Sequence, residues 1–174
     1  CADLFHLRAF TAIHTVAAAA GVLLLLLSAF FAYRLGGTWP MIGMTALTAT
    51  APLEISLCQR AMIDGYFAFW AVAVLWLAWE NLQRPRHMGW LIAYTLCLTI
   101  LVLTKETAAF VVFAIVGTFL LNRLLRLGTV TPQLLAATVA GPALAVLLLA
   151  ALVGGVSEWI QVYQMFVAKS RMHF

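Results

Sequence analysis

Residues 89–122 read GWLIAYTLCLTILVLTKETAAFVVFAIVGTFLLN, an apolar run broken near its middle by Lys105 and Glu106. As one helix it would be about 51 Å long at ~1.5 Å per residue. A bilayer hydrocarbon core is only about 30 Å thick. One crossing is therefore too long, whereas two short ones, Gly89–Leu103 and Thr107–Asn122, fit if the Lys105-Glu106 turn sits at the interface. The choice decides the topology of the chain, because it sets the side on which every later residue lies.

The rest of the 174-residue chain agrees with a lipid environment. It is 65% hydrophobic and 9% charged, with a mean hydropathy of +1.04. Soluble domains carry about a quarter charged residues. In lipid every backbone polar group must be satisfied internally, so helices or a closed barrel are required. The runs are rich in Leu and Ala and lack two-residue alternation, which selects helices. Spanning takes roughly 17–25 apolar residues, and further candidates are Ala9–Tyr33, Thr38–Leu57, Tyr66–Leu82 and Pro132–Val153. Trp39, Trp79, Trp90 and Trp159 lie near the ends of these runs, as an interfacial aromatic belt would. Chain 1–174 thus reads as a single all-α domain, a polytopic transmembrane helical bundle of about six spans, and as a fragment of a larger protein.

Charge supports six spans over five. With six, Arg34, Arg84, Arg86, Arg123 and Arg126 share one side. Arg- and Lys-rich short loops stay cytoplasmic. Arg60 with Asp64, and Lys105 with Glu106, then face outward, as do both termini. The stretch 157–174 mixes aromatics with Lys169 and Arg171, in the manner of an interfacial segment.

Ionisable residues at membrane depth are costly, about 2.5–3.5 kcal/mol each on insertion scales, so they pair or serve function. Arg60 and Asp64 are four residues apart, a spacing that suits an interfacial ion pair beside a helix start. It also suits an Arg held by Asp64 as a bidentate phosphate ligand. Lys105-Glu106 reads as a solvated turn or as a second outward pair. Arg8, just before the first run, is a snorkelling cation or a third phosphate ligand. Glu54, after Pro52, reads as a structural partner for a cation. His6 and His14 have no second ligand at metal-binding spacing. Cys1, Cys58 and Cys97 show no redox or metal pattern. Outward cations flanked by oily helices suit a ligand with an anionic head and a lipid tail.

Three segments carry a resemblance. Thr48-Ala49-Thr50-Ala51-Pro52-Leu53, then Arg60-Ala61-Met62-Ile63-Asp64, then Phe67-Ala68-Phe69-Trp70 resemble the third-to-fourth helix region of C-type (GT-C) glycosyltransferases. The nearest branch is the protein O-mannosyltransferase and aminoarabinose-transferase type. Leu101-Val102-Leu103-Thr104-Lys105-Glu106 is similar to that family's Leu-Thr-Lys turn, and Leu7-Arg8-Ala9-Phe10 to the Arg before its second helix. The resemblance implies an integral-membrane enzyme that takes a sugar from a polyprenyl-phosphate donor. The acceptor would be a protein, a lipid or a glycan on the extracytoplasmic face, with no nucleic acid involved. It implies donor-phosphate ligands at Arg60, Lys105 and Arg8, and orienting carboxylates at Asp64 and Glu106. The family's catalytic acid lies in a first outer loop, which would fall upstream of Cys1, so no catalytic residue is assigned within the chain. Glu54 is outside the family pattern. No cofactor or metal site is implied, and divalent-metal dependence stays open. The expected setting is the bacterial inner (plasma) membrane. The other functions weighed are a polytopic transporter and a noncatalytic membrane scaffold subunit.

Overall fold

A computed structural model describes residues 2–51, 63–125 and 128–155, with side chains from residue 11 onward except at 13, 63, 123 and 125. The described residues are helical, with six helices and no strand. These are α1 (Ala2–Gly36), α2 (Thr38–Thr50), α3 (Ile63–Gln83), α4 (Met88–Thr104), α5 (Ala108–Leu125) and α6 (Pro132–Val153). The expected all-α class is what is found.

The helix ends have local causes. Gly37 holds φ 81°, a left-handed value that glycine adopts without cost, and there the chain passes from α1 into α2. The run expected over Thr38–Leu57 is not one helix: α2 ends at Thr50, and Ala51 is extended at φ −65°, ψ 114°. The cause is Pro52, whose ring excludes the helical conformation from the residue before it. Residues 52–62, with Glu54 and Arg60, lie outside the described residues. Pro85 stops α3 in the same way at Gln83.

The 89–122 run does break at its charged pair. Lys105 is extended (φ −159°, ψ 141°), and helical bonding resumes with Ala108 N–H donating to the Lys105 carbonyl at 3.0 Å. At the start of α6, Thr131 accepts from Leu134 N–H at 3.2 Å, with Pro132 in the first turn. α6 closes on Gly154 at φ 101°, with Gly155 N–H bonded to the Ala150 carbonyl at 2.8 Å.

Pairwise contacts fix the direction of each helix. Phe30 meets Trp76 edge-on at 5.4 Å, and Arg34 meets Glu80, so α1 and α3 run parallel. Trp76 meets Trp90 at 5.5 Å and Asp64 meets Lys105, so α3 and α4 run antiparallel. Tyr94 Oη lies 2.9 Å from Thr138 Oγ1, and Thr99 Oγ1 donates to the Gly141 carbonyl at 3.1 Å, so α4 and α6 run parallel. Thr129 N–H donates to the Leu82 carbonyl at 3.0 Å, which draws the α5–α6 connection to the end of α3.

The core lies among α3, α4, α5 and α6 and includes Val74, Leu77, Tyr94, Leu98, Leu101, Ile115 and Leu134. α6 approaches α4 through buried Ala137, Gly141 and Ala145. A Cβ at Gly141 would sit 2.8 Å from Leu98 Cδ2. Small residues on one face permit such close approach where lipid gives apolar surfaces no drive to associate.

Two stretches, His14–Gly36 and Pro132–Val153, are long and apolar enough to cross a membrane, and only 28% of each is buried. Most of their apolar surface therefore faces outward, which favours a lipid environment over the interior of a soluble core. Met88–Thr104 and Ala108–Asn122 are apolar but shorter.

Candidate functional site

The directions above sort the charged residues into two groups. Arg34, Glu80, Arg84 and Arg86 lie at one end of the bundle, with the α5–α6 connection beside them. Asp64, Lys105 and Glu106 lie at the other. Asp64 and Glu80 are sixteen residues apart on α3, about 24 Å along a helix axis, close to the thickness of a hydrocarbon core.

At the Lys105 end, the extended backbone at Lys105 carries its side chain across to α3, where Nζ forms an ion pair with Asp64 Oδ1. Asp64 stands in the first turn of α3, where the helix dipole favours a carboxylate. The pair is part-exposed, with side-chain exposures of 35% for Lys105 and 29% for Asp64. An ammonium has three donors, so one bond to Asp64 leaves two for another anion. Glu106 is exposed and forms no ion pair among the described residues. The pairing therefore crosses between helices, whereas sequence adjacency puts Lys105 with Glu106.

Beside Lys105 lies an open groove of about 220 Å³. It is lined by Val102, Lys105, Glu106, Ala108, Ala109, Val112, Phe113 and Pro142, and almost all of the surface it presents is apolar. An anionic head on the ammonium and an apolar chain along the wall would match this surface.

The other expected site residues stand differently. Arg60 lies outside the described residues. Arg8 is carried by α1, but its side chain is not described. The α1–α3 register, 46 residues from Arg34 to Glu80, sets Asp64 level with Ala18. A straight α1 then carries Arg8 ten residues past that level, about 15 Å. Glu106 borders the groove without bonding to Lys105. Among the described residues, no three His, Cys, Asp or Glu side chains gather as metal ligands.

The other end holds a pair that residue reading overlooked. Glu80 is only 1% exposed. Arg34 Nε and Nη2 donate to its two carboxylate oxygens at 2.9 and 3.0 Å, and Trp76 Nε1 donates to Oε1 at 3.3 Å. A planar guanidinium fits a carboxylate in this two-point manner. A signal was present: Glu80 is the single acid near Arg34, Arg84, Arg86, Arg123 or Arg126 in the sequence.

A scan against family models finds no match to this chain, and searches of curated proteins and of solved structures find none either. The class defined by fold and composition is an all-helical protein with features of membrane association. Its chemistry rests on the residues alone.

Proposed function

We propose that the chain is the membrane-embedded part of a glycosyltransferase that uses a polyprenyl-phosphate sugar, with the donor phosphate at the Lys105 end. Six crossings, with the arginine end cytoplasmic and the Lys105 end extracytoplasmic, belong to the same proposal. The carrying observation is the Lys105–Asp64 ion pair at the edge of an open apolar groove. The groove takes the lipid chain. Lys105, joined by Arg60, meets the phosphate, while Asp64 orients Lys105.

In the reaction the acceptor attacks the anomeric carbon, and the bond to the lipid-phosphate oxygen breaks. Negative charge grows on the leaving phosphate, and positioned cations lower the barrier by offsetting it. The acceptor's attacking group gives its proton to a general base, a role to which no residue of the chain is assigned.

The scaffold reading keeps one observation in its favour: Lys105 already has a partner in Asp64, as a purely structural cation would. Transfer from radiolabelled polyprenyl-phosphate sugar by the full-length protein separates the two. Lys105→Ala is expected to lower turnover about tenfold or more while folded protein in the membrane falls far less. Lys105→Arg should retain more activity than Lys105→Ala. Equal losses of turnover and folded protein would leave only the scaffold. Transport readings fit poorly, since their ion pairs belong near the bilayer midplane.

A further inference from the structure

The arginine end carries charge that the proposed site does not use. Arg34, Arg84 and Arg86 belong to the helix ends and the connection gathered there, and Arg123 to the last turn of α5. Among the described residues, the acid at this end is Glu80, which is buried and paired with Arg34. Arg84 and Arg86 are exposed in the tight α3–α4 turn, where His87 N–H bonds to the Arg84 carbonyl at 3.1 Å. The Thr129–Leu82 hydrogen bond holds the start of the described α5–α6 connection two residues along the chain from Arg84.

Exposed apolar groups lie at the same end of the bundle. Trp39 is 84% and Met88 61% exposed, and both begin helices at this end. Trp90 lies against His87 with ring centroids 6.0 Å apart. A soluble anion or an acidic peptide gains nothing from Trp39 and Met88. A phospholipid uses both features, its phosphate on the arginines and its acyl chains along the apolar flank.

We propose that this end is a binding surface for anionic phospholipid head groups, centred on Arg84 and Arg86. It rests on membrane association and does not depend on glycosyl transfer, so either reading can fail alone.

Thermal unfolding of the purified full-length protein in neutral detergent tests it, with phosphatidylglycerol or phosphatidylcholine added as mixed micelles. Phosphatidylglycerol should raise Tm by about 3 °C or more, as a ligand of the folded state does. Phosphatidylcholine should not, and added salt should shrink the rise. Arg84→Gln with Arg86→Gln should remove most of the rise while leaving Tm in phosphatidylcholine unchanged. Arg84→Lys with Arg86→Lys should keep much of it. The proposal is overturned by equal rises with both lipids, or by an undiminished rise in the Gln variant. It is equally overturned if inorganic phosphate or polyglutamate reproduces the shift, since the ligand is then a free anion or an acidic chain.

Discussion

Lys105 and Glu80 show how differently one fold can handle two charged side chains. Glu80 is sealed, its oxygens taken up by Arg34 and Trp76. Removing one partner of a buried pair strands the other, typically at a cost of 3–5 kcal/mol. Arg34 is 39% exposed and can turn to water, so the lower side applies. Glu80→Ala is expected to destabilise the fold by about 2 kcal/mol, read from unfolding in detergent. Arg34→Met combined with Glu80→Met should recover much of that loss. Lys105 is instead half-open, with spare donors beside an apolar groove. Asp64→Asn keeps the shape of the carboxylate but weakens its hold on the ammonium. If Asp64 is an orienting residue, this variant should raise the donor KM or lower kcat with little change in melting temperature. A change confined to stability would mark Asp64 as structural.

For single elements, the sequence was most readable where physics is local. Long apolar runs define α1 and α6; Arg34 stands in the last turn of the former, and Pro132 and Gly154 mark the ends of the latter. Lys105-Glu106 marks the α4–α5 break, the one place where adjacent charges interrupt the apolar run 89–122. The end of α2 was misread, since hydropathy runs on through Ala51 while the ring of Pro52 stops the helix. Packing was illegible for another reason. Glu80 and Arg34 are 46 residues apart, and nothing local says that α1 and α3 lie side by side. Pairing Lys105 with Glu106 followed adjacency, but the extended backbone at Lys105 sends its side chain to α3. At the α4–α6 contact, Gly141→Ala forces Leu98 to move, since its Cγ and Cβ would lie 2.9 and 3.0 Å from the new methyl. A destabilisation of about 1–3 kcal/mol is expected. Val139→Ala, on the exposed face of the same helix, should stay within about 0.5 kcal/mol. Equal effects from the two would remove the close approach of α4 and α6.

Over the whole molecule, the helix directions put Arg34, Arg84 and Arg86 and the Lys105–Asp64 pair at opposite ends of one bundle. That separation was legible from the charge asymmetry of the loops once the 89–122 run was divided in two. The central claim adds that a membrane lies between these ends, with the Lys105 end outside. Accessibility labelling of the full-length protein in intact cells tests it most directly, with native cysteines replaced and single reporters introduced as Glu106→Cys, Arg60→Cys and Arg86→Cys. The account predicts that an impermeant thiol reagent reaches positions 106 and 60 from outside, and position 86 only after the membrane is opened. Labelling of 106 and 86 from the same side, or of 60 and 106 from opposite sides, would contradict it.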